Sequence, residues 1–291
     1  MDLDISSAIL SDKAHIKEIW KQCFGDSDEY IGFFLENGFE CENALVIRDS
    51  GIPISVLHIL PIDLKIKSDS ISAGYIYAAA TLPQYQGMGL MKKLLLSAEE
   101  IAVERGIKVL ILVPASESLF LFYEKAGYKS VVDVFAYDNK KHKKINNNVT
   151  IEDCDFEDLY KIRSQSFKNE DVFFKWNEKL LRYIYSELLF TDKIIKKFKY
   201  KKNIGYVIFY PQNNVLEVKE FAGNKKSLKS VAQHLMKIYN CDRVSAKLPV
   251  SFMKLKKQRN HFAMVKAIDG FDYDIIKFLG KGKGYFNLAL D

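Results

Sequence analysis

Residues 78–93 join a strand of small side chains to an amphipathic helix through a short turn that carries two glycines. Gly87 and Gly89 allow the backbone to come close to a bulky anion and to present its N–H groups. The helix begins directly after the turn, so its positive dipole end faces the same place, and Lys92 lies one turn further on. An ordinary strand–helix turn that uses glycine only for its geometry is the alternative. The strand, Pro83, the paired glycines and the helix start together favour a pyrophosphate site.

This turn differs from two widespread phosphate-binding motifs. The dinucleotide pattern GxGxxG is absent, because Leu90 follows the glycine pair and the spacing does not fit. The pattern GxxxxGK[ST] of nucleoside-triphosphate loops is absent from the segment as well. We therefore expect an anion that is neither a dinucleotide nor the β- and γ-phosphates of ATP.

The order of elements along the chain predicts an α/β fold built on a mixed sheet. Hydrophobic periodicity and capping residues predict helices over residues 11–24, 27–37, 89–105, 117–126, 156–167, 176–189 and 227–239. Strands are predicted over residues 44–48, 52–67, 74–82, 108–113, 130–137, 149–151, 204–210, 215–222 and 243–248. The second half echoes the element order of the first without a residue-level repeat. We expect two similar domains, each a mixed central sheet flanked by helices.

A polar and charged stretch, residues 139–148, separates the two halves and has no hydrophobic periodicity. Its composition is typical of a linker or an exposed loop, and a basic patch for anionic partners is the sharper alternative. We accordingly place the two domains at residues 1–138 and 149–291.

Two motifs in the first half resemble the GNAT acetyltransferase superfamily. Residues 84–89 (Gln-Tyr-Gln-Gly-Met-Gly) match its Gln/Arg-x-x-Gly-x-Gly/Ala loop, and residues 122–128 match its aromatic-Tyr-x-x-x-Gly-aromatic run. The resemblance implies acetyl-coenzyme A as the acyl donor, with the pantetheine arm along the backbone of residues 80–82 and the pyrophosphate on the amides of about residues 86–91. The cofactor-binding residues that it implies are Ala80, Thr81, Leu82, Gln84, Tyr85, Gln86, Gly87, Met88, Gly89, Leu90, Met91, Lys92, Ser116 and Glu117.

The same resemblance suggests catalytic groups. It gives Tyr123 the role of the acid that protonates the departing coenzyme A thiolate, which suits a phenol, while a packed aromatic ring is the alternative. Ser116 and Glu117 resemble a Ser-Glu pair of the Eis-like branch, and they also fit the cap and first turn of a helix. In that branch the terminal carboxylate acts as a base, which makes Asp291 a speculative candidate. A plain edge strand at residues 284–291 is the alternative.

The residues themselves identify no general base. His58 lies in a predicted strand of the first half, and it can serve as a base if it faces the cleft. A buried, hydrogen-bonded histidine is the simpler interpretation.

The corresponding loop of the second half, residues 221–226, has one glycine and lacks the Gln/Arg-x-x-Gly-x-Gly pattern. A loop without the second glycine approaches phosphate poorly. We therefore interpret the second half as a degenerate GNAT-like domain that walls the acceptor cleft, and a free-standing binding module for peptide or protein is the alternative. The chain lacks the additional large C-terminal domain of the Eis-like branch, so tandem two-domain GNAT proteins are the closer match.

Composition restricts the partners and the compartment. The net charge of +6 is mild for 291 residues, and the lysines are spread apart from clusters near residues 139–144 and 193–202, which argues against nucleic acid as the main ligand. The four cysteines are far apart, so we expect no metal site and a reducing, cytoplasmic environment. No signal peptide or membrane-spanning run is visible.

The resemblance implies an acetyl-coenzyme A-dependent N-acetyltransferase that moves an acetyl group to a primary amine by direct attack. A non-catalytic coenzyme A-binding sensor or interaction module is the alternative, and the lysine clusters motivate a tRNA-associated modifying enzyme as a third hypothesis. The sequence does not indicate whether the acceptor is a small molecule or a peptide amine, nor the oligomeric state.

Overall fold

The computed structural model describes residues 2–66, 69–142, 148–167, 170, 172–252, 259–268, 270, 284–286 and 290. The first half contains β1 (Leu3–Ser7), α1 (Lys13–Phe24), α2 (Asp28–Asn37), β2 (Ala44–Asp49), β3 (Ile52–Ile66), β4 (Asp69–Thr81), α3 (Leu90–Glu104), β5 (Val109–Leu112), α4 (Glu117–Lys125) and β6 (Lys129–Lys140). The second half contains β7 (Val149–Asp153), α5 (Phe156–Ser166), β8 (Val172–Trp176), α6 (Glu178–Phe190), β9 (Ile194–Tyr200), β10 (Asn203–Gln212), β11 (Val215–Ala222), α7 (Lys225–Ile238), β12 (Arg243–Pro249), β13 (Arg259–Ala267) and β14 (Gly284–Tyr285).

The described strands form one mixed sheet that runs through both halves, in the order β1-β2-β3-β4-β5-β13-β6-β12-β11-β10-β9-β7. Most neighbours are antiparallel, whereas β4 pairs with β5, and β11 with β12, in parallel. Beside this path, β8 pairs with the end of β3, and β14 pairs with β8. The expected mixed α/β fold is confirmed.

The two halves exchange strands at the centre of this sheet. Strand β13, from the second half, lies between β5 and β6 of the first half. The long strand β6 in turn pairs with β12 along residues 134–140. The residues predicted to begin a linker, Asn139 and Lys140, therefore belong to a paired strand, and the sheet continues across the predicted domain boundary.

Helices cover both faces of the sheet. One core brings together α1, α2, α5 and α6, through residues such as Ile16, Phe34, Leu159 and Ile184. On the opposite face, α3 packs over a second core and α7 over a third. The first core crosses from one half to the other, and that shared burial joins the halves. None of the described helices is both long enough and apolar enough to span a bilayer.

The lysine cluster at residues 193–202 contains a strand that the sequence did not predict. In β9, Phe198 and Tyr200 are buried while lysines fill the intervening positions. These lysines face the acidic strand β7, where Lys197 is aligned with Glu152 and also lies 2.7 Å from Asp158. Cross-strand ion pairs of this kind are compatible with a half-buried strand, so the cluster is part of the sheet.

Three other strands were not predicted, and a fourth was expected only as a strand-like chain end. Strands β1, β8 and β13 were not predicted, while the strand-like character expected at the end of the chain is confirmed for β14. The buried side chains of Tyr285, Phe286 and Leu290 dock this segment.

Candidate active site

The parallel strands β4 and β5 pair over only three residues of each strand. The ladder joins residues 73–75 to residues 109–111 and ends there. Beyond Tyr75 the two strands part, and a cavity of about 670 Å³ lies in the opening. Ala78 and Ala79 line it from β4, and residues 112–115 line it from the end of β5. The parting of two parallel strands thus produces a cleft with backbone on both walls.

A β-bulge interrupts β4 at this cleft. The pairing with β3 shifts register between Val56 and His58, and Ala78 takes a positive φ of 46°. Tyr77 and Ala80 consequently pack in the same core, although strict alternation would place them on opposite faces. A non-glycine residue at positive φ is strained, and bulges occur next to active sites because they redirect backbone groups. Here the redirected backbone belongs to the residues that line the cavity.

The glycine-bearing turn connects β4 to α3. Gly87 and Gly89 have φ values of 78° and 76°, which side chains rarely tolerate, and a Cβ on either would meet only open space. Gly89 stands at the N-cap of α3, so the N-cap residue has no side chain with which to cap the helix. The first N–H groups of α3 are therefore available to an anion. The side chain of Gln86 donates to the Thr81 carbonyl at 3.0 Å, which fastens the turn to β4.

The residues that the resemblance assigns to cofactor binding differ in their exposure and in the hydrogen bonds that their backbone already makes. Leu82 N–H donates to the Ile54 carbonyl at 3.0 Å, so this amide points to β3. The Ala80 carbonyl accepts from Ser55. By contrast, the turn residues Gln84, Gln86, Gly87, Met88 and Gly89 are exposed, as is Lys92, whereas Leu90 is buried and Tyr85 and Met91 are half-buried.

Tyr123 lies on α4 and lines the cavity. Its ring packs edge-on against Phe122 and Tyr128, and its side chain is buried. Burial raises the pKa of the Tyr123 hydroxyl to about 12. The hydroxyl therefore keeps its proton throughout the physiological pH range and can act as a donor at the cleft.

Ser116 and Glu117 lie at the start of α4, and both are exposed. Ser116 occupies the N-cap position, but its hydroxyl lies 3.0 Å from that of Ser118 and does not cap the helix. Glu117 is in the first turn, where a carboxylate favours the helix dipole.

His58 does not face the cavity. It is fully buried among the rings of Trp20, Phe34, Phe39 and Tyr77. Burial lowers the pKa of His58 to about 4, so the imidazole is uncharged at neutral pH. This histidine is a packed core residue. It could serve as a base only if it faced the cleft, and it does not.

Cys23 also lies near the cleft without being poised as a nucleophile. Its thiol donates to the Thr81 carbonyl at 3.2 Å. Burial raises the pKa of this thiol, which disfavours the reactive thiolate.

The end of the chain reaches the same cavity. Leu290 lines it, and the Tyr75 hydroxyl donates to the Leu290 carbonyl at 3.4 Å. Asp291, the speculative base, lies outside the described residues.

The far side of the cavity is built from residues that sequence reasoning missed. They come from α6, β11, β12, β13 and the loops beside α1 and β9, and each has an ionisable side chain: Asp26, Glu187, Lys193, Lys219, Lys247 and His261. Trp20 donates its indole N–H to Asp26 at 2.7 Å. No local motif marks these residues, because each belongs to a different element and only the folded chain brings them together.

Residues 4–131 match a family model described as an acetyltransferase (GNAT) domain. No curated protein sequence matches the chain significantly. Among solved structures, a GCN5-related N-acetyltransferase from Kribbella flavida is similar with a TM-score of 0.72 and 14% identity, over 92% of this chain and 72% of that one. Eis1 from Mycobacterium abscessus is similar with a TM-score of 0.69 and 12% identity, over 91% and 74%. Saccharomyces cerevisiae N-myristoyltransferase with bound myristoyl-CoA gives 0.56 and 8%, over 92% and 80%.

These structural similarities establish the fold, and the family model identifies the part of the chain that contains the cleft. Residues 4–131 are therefore similar to a GNAT acetyltransferase domain, a fold that supports acyl transfer from acyl-coenzyme A.

Proposed function

We propose that the protein is an N-acetyltransferase that moves the acetyl group of acetyl-coenzyme A to a primary amine. One observation carries the proposal: Tyr123 and the parted strands β4 and β5 line one cavity, and the glycine-bearing turn leads directly from β4 to the start of α3. The pyrophosphate of the donor would lie at the first amides of α3, where the two glycines leave open space. The thioester would lie between the parted strands.

The reaction needs no covalent intermediate on the protein. The amine nitrogen attacks the thioester carbonyl, a C–N bond forms, and the C–S bond breaks. Backbone N–H groups at the bulge around Ala78 stabilise the negative charge that develops on the carbonyl oxygen. The Tyr123 hydroxyl supplies a proton to the departing thiolate, the amine loses one proton to water, and the Tyr123 tyrosinate takes up a proton from water. The raised pKa of Tyr123 keeps this proton in place until the thiolate forms.

We further propose that residues 1–138 and 149–291 are two GNAT-like domains and that only the first binds coenzyme A. The separate hydrophobic cores under α3 and α7 support the division of the chain into two domains. The turn before α7 supports the loss of binding, because Asn224 caps the helix by accepting from Ser227 N–H. That cap occupies an amide that a phosphate would need.

The test is titration of the protein with acetyl-coenzyme A by calorimetry, with Gly87→Trp as the variant that fills the turn. We expect the unaltered protein to bind one acetyl-coenzyme A per chain and the Gly87→Trp variant to bind none. Absence of binding by the unaltered protein would contradict the proposal. Thiol release with a broad panel of amines then separates an enzyme from a non-catalytic coenzyme A-binding module, which would bind without turnover. Propionyl- and hexanoyl-coenzyme A in the same assay test the preference for acetyl.

A further inference from the structure

A group of three lysines borders the cavity on the side opposite the thioester cleft. This lysine wall consists of Lys193, Lys219 and Lys247, from three separate places in the second half. Asp26 and Glu187 are the carboxylates that line the same cavity among the described residues. Lysines therefore outnumber carboxylates among the described residues that line the cavity.

A β-bulge places Lys219 at this wall. The register of β10 with β11 shifts between Ile208 and Phe209, and the pairing passes over Lys219. Val218 and Phe221 consequently pack in the same core under α7, although strict alternation would place them on opposite faces. Bulges re-aim side chains next to binding sites, and this bulge directs Lys219 to the cavity.

The bulge is held by a buried polar cluster on the next residue. Glu220 accepts hydrogen bonds from Arg163, Tyr206 and Tyr285, with a distance of 3.3 Å from Arg163 Nε and of 3.1 Å from the Tyr285 hydroxyl. All four side chains are buried. A one-residue slip of β11 would remove Glu220 from these partners and leave charges unpaired, which is costly in a core. The position of Lys219 is therefore set by the fold.

Lys247 lies beside Lys219 for a similar reason. Strands β11 and β12 are parallel and are aligned up to Val218 and Ala246, so the two lysines follow at the same level, where the strands part. Lys193 precedes β9 and completes the wall. Lysines from β11, β12 and the loop before β9 thus line one cavity, which Tyr123 also lines, and Lys193 there donates to the Thr191 carbonyl at 3.0 Å.

We propose that the acceptor is a small amine that also carries an anionic group, a carboxylate or a phosphate, which the lysine wall binds. This inference rests on the proposed acetyl transfer. Ammonium groups that donate to an anion in a partly enclosed site form strong, oriented hydrogen bonds. Their positive potential also disfavours protonation of the nearby acceptor amine, which must be uncharged to attack. The wall therefore anchors one end of the acceptor and keeps the other end reactive.

The experiment measures kcat and KM for three matched pairs of amines: phenylalanine and phenylethylamine, lysine and cadaverine, phosphoethanolamine and ethanolamine. Each pair differs by one anionic group, and the third distinguishes phosphate from carboxylate. We expect the anionic member to be preferred in at least one pair. In the double variant Lys219→Met, Lys247→Met that preference falls about ten- to hundredfold through KM, because hydrogen bonds to charged groups are lost. Comparing preferences cancels the different intrinsic reactivity of the amines.

Lys229→Met is the matched control, since Lys229 is an exposed lysine on α7 away from the cavity. The control should leave every preference unchanged, and the double variant should leave the affinity for acetyl-coenzyme A unchanged. Equal or better turnover of the anion-free member in all three pairs overturns the inference while acetyl transfer stands. An unchanged preference in the double variant overturns it as well.

Calorimetry with N-acetylphenylalanine, N-acetylphosphoethanolamine and N-acetylphenylethylamine gives a readout that does not depend on turnover. Binding of an anionic product to the coenzyme A-loaded protein, lost in the double variant, supports the lysine wall even if no amine releases thiol. In that case it is the proposed acetyl transfer that fails. Absence of binding by both anionic products, without turnover of any anionic amine, overturns the inference.

Discussion

Strands β4 and β11 hold equivalent places in the two halves of the sheet. Each pairs in parallel with its neighbour over three or four residues, carries a β-bulge further along, and parts from that neighbour before a turn leads into a helix. The turns differ. Gly87 and Gly89 take positive φ values in open space, whereas a Cβ on Gly223 would lie 2.7 Å from the Phe198 ring. The first turn uses glycine for its backbone conformation, and the second uses it for packing. A parted strand pair is therefore not enough for an anion site, because the amides after it must also be exposed and uncapped.

The largest expected effect is on kcat, when the proposed acid of the first half, Tyr123, is replaced. Tyr123→Phe removes the proton donor from the cleft, and we expect kcat to fall about 10²–10⁴-fold while the affinity for acetyl-coenzyme A is unchanged. Because burial raises the pKa of Tyr123 to about 12, the unaltered enzyme should show no loss of kcat from this group below about pH 10.

Tyr128→Phe is the control for that variant. Its hydroxyl is buried, has no hydrogen-bond partner among the residues that the structure describes, and lies outside the cavity lining, so its removal should leave kcat unchanged. Equal losses in both variants would mean that Tyr123 acts only through packing.

A smaller effect is expected from the glycine-bearing turn. Gly87→Val places a β-branched residue at a φ of 78°, which distorts the turn and blocks the amides. We expect the affinity for acetyl-coenzyme A to fall about 100-fold, measured by calorimetry. Gly106→Val introduces the same strain at the other end of α3, where φ is 67°. That variant should lose stability only, and a similar loss of affinity would refute an anion site at the turn.

The bulges also differ in the buried group beside them. His58 is aligned with Tyr77 at the first bulge and is uncharged, whereas Glu220 at the second is paired with Arg163. Burial lowers the pKa of His58 from 6.5 to about 4, so the unfolded chain takes up a proton first as the pH falls below 6.5. The free energy of unfolding should therefore decrease between pH 6.5 and pH 4, by about 2 kcal/mol at pH 5 from this group.

Urea unfolding at pH 7 and pH 5 measures that loss. In His58→Phe the part of the pH dependence due to this residue should disappear, while His15→Gln, which changes an exposed histidine, should retain it. Identical pH dependence in all three proteins would show that His58 does not titrate as its burial demands.

The smallest functional effect is expected in the second turn. Gly223→Ala forces a Cβ against the rings of Phe198 and Phe221, and we expect a loss of about 1–3 kcal/mol in the free energy of unfolding. The affinity for acetyl-coenzyme A should not change. Gly32→Ala, in open space on α2, should be neutral or slightly stabilising. A lowered affinity in Gly223→Ala would mean that the second turn takes part in binding.

Local patterns predicted much of the fold. Helices α1 to α7 and the long strand β3 follow from periodicity, capping residues and β-branched runs, since each pattern lies within one contiguous segment. Strands β9 and β13 were not predicted, because their polar residues are stable in a strand only when particular residues of neighbouring elements pair with them. Lys197 is stable in β9 because it forms ion pairs with Glu152 of β7 and Asp158 of α5, and the sequence of β9 alone does not contain that information.

The candidate site likewise contains features that local sequence predicted and features that it did not. The turn that carries Gly87 and Gly89 was predicted from its residues, because backbone conformation and helix start are set by adjacent residues, whereas Tyr123 was implied by the resemblance to GNAT proteins. Their geometry now agrees with those expectations, while their roles remain predictions.

The exchange of strands between the halves, the two bulges and the cavity with its lysine wall were decided only by the tertiary structure. Bulge positions depend on which residues must be buried on each side, and a cavity depends on which elements meet. Lys219 illustrates this dependence: in the sequence it is one of many lysines, and the pairing of β10 with β11 places it at the cleft.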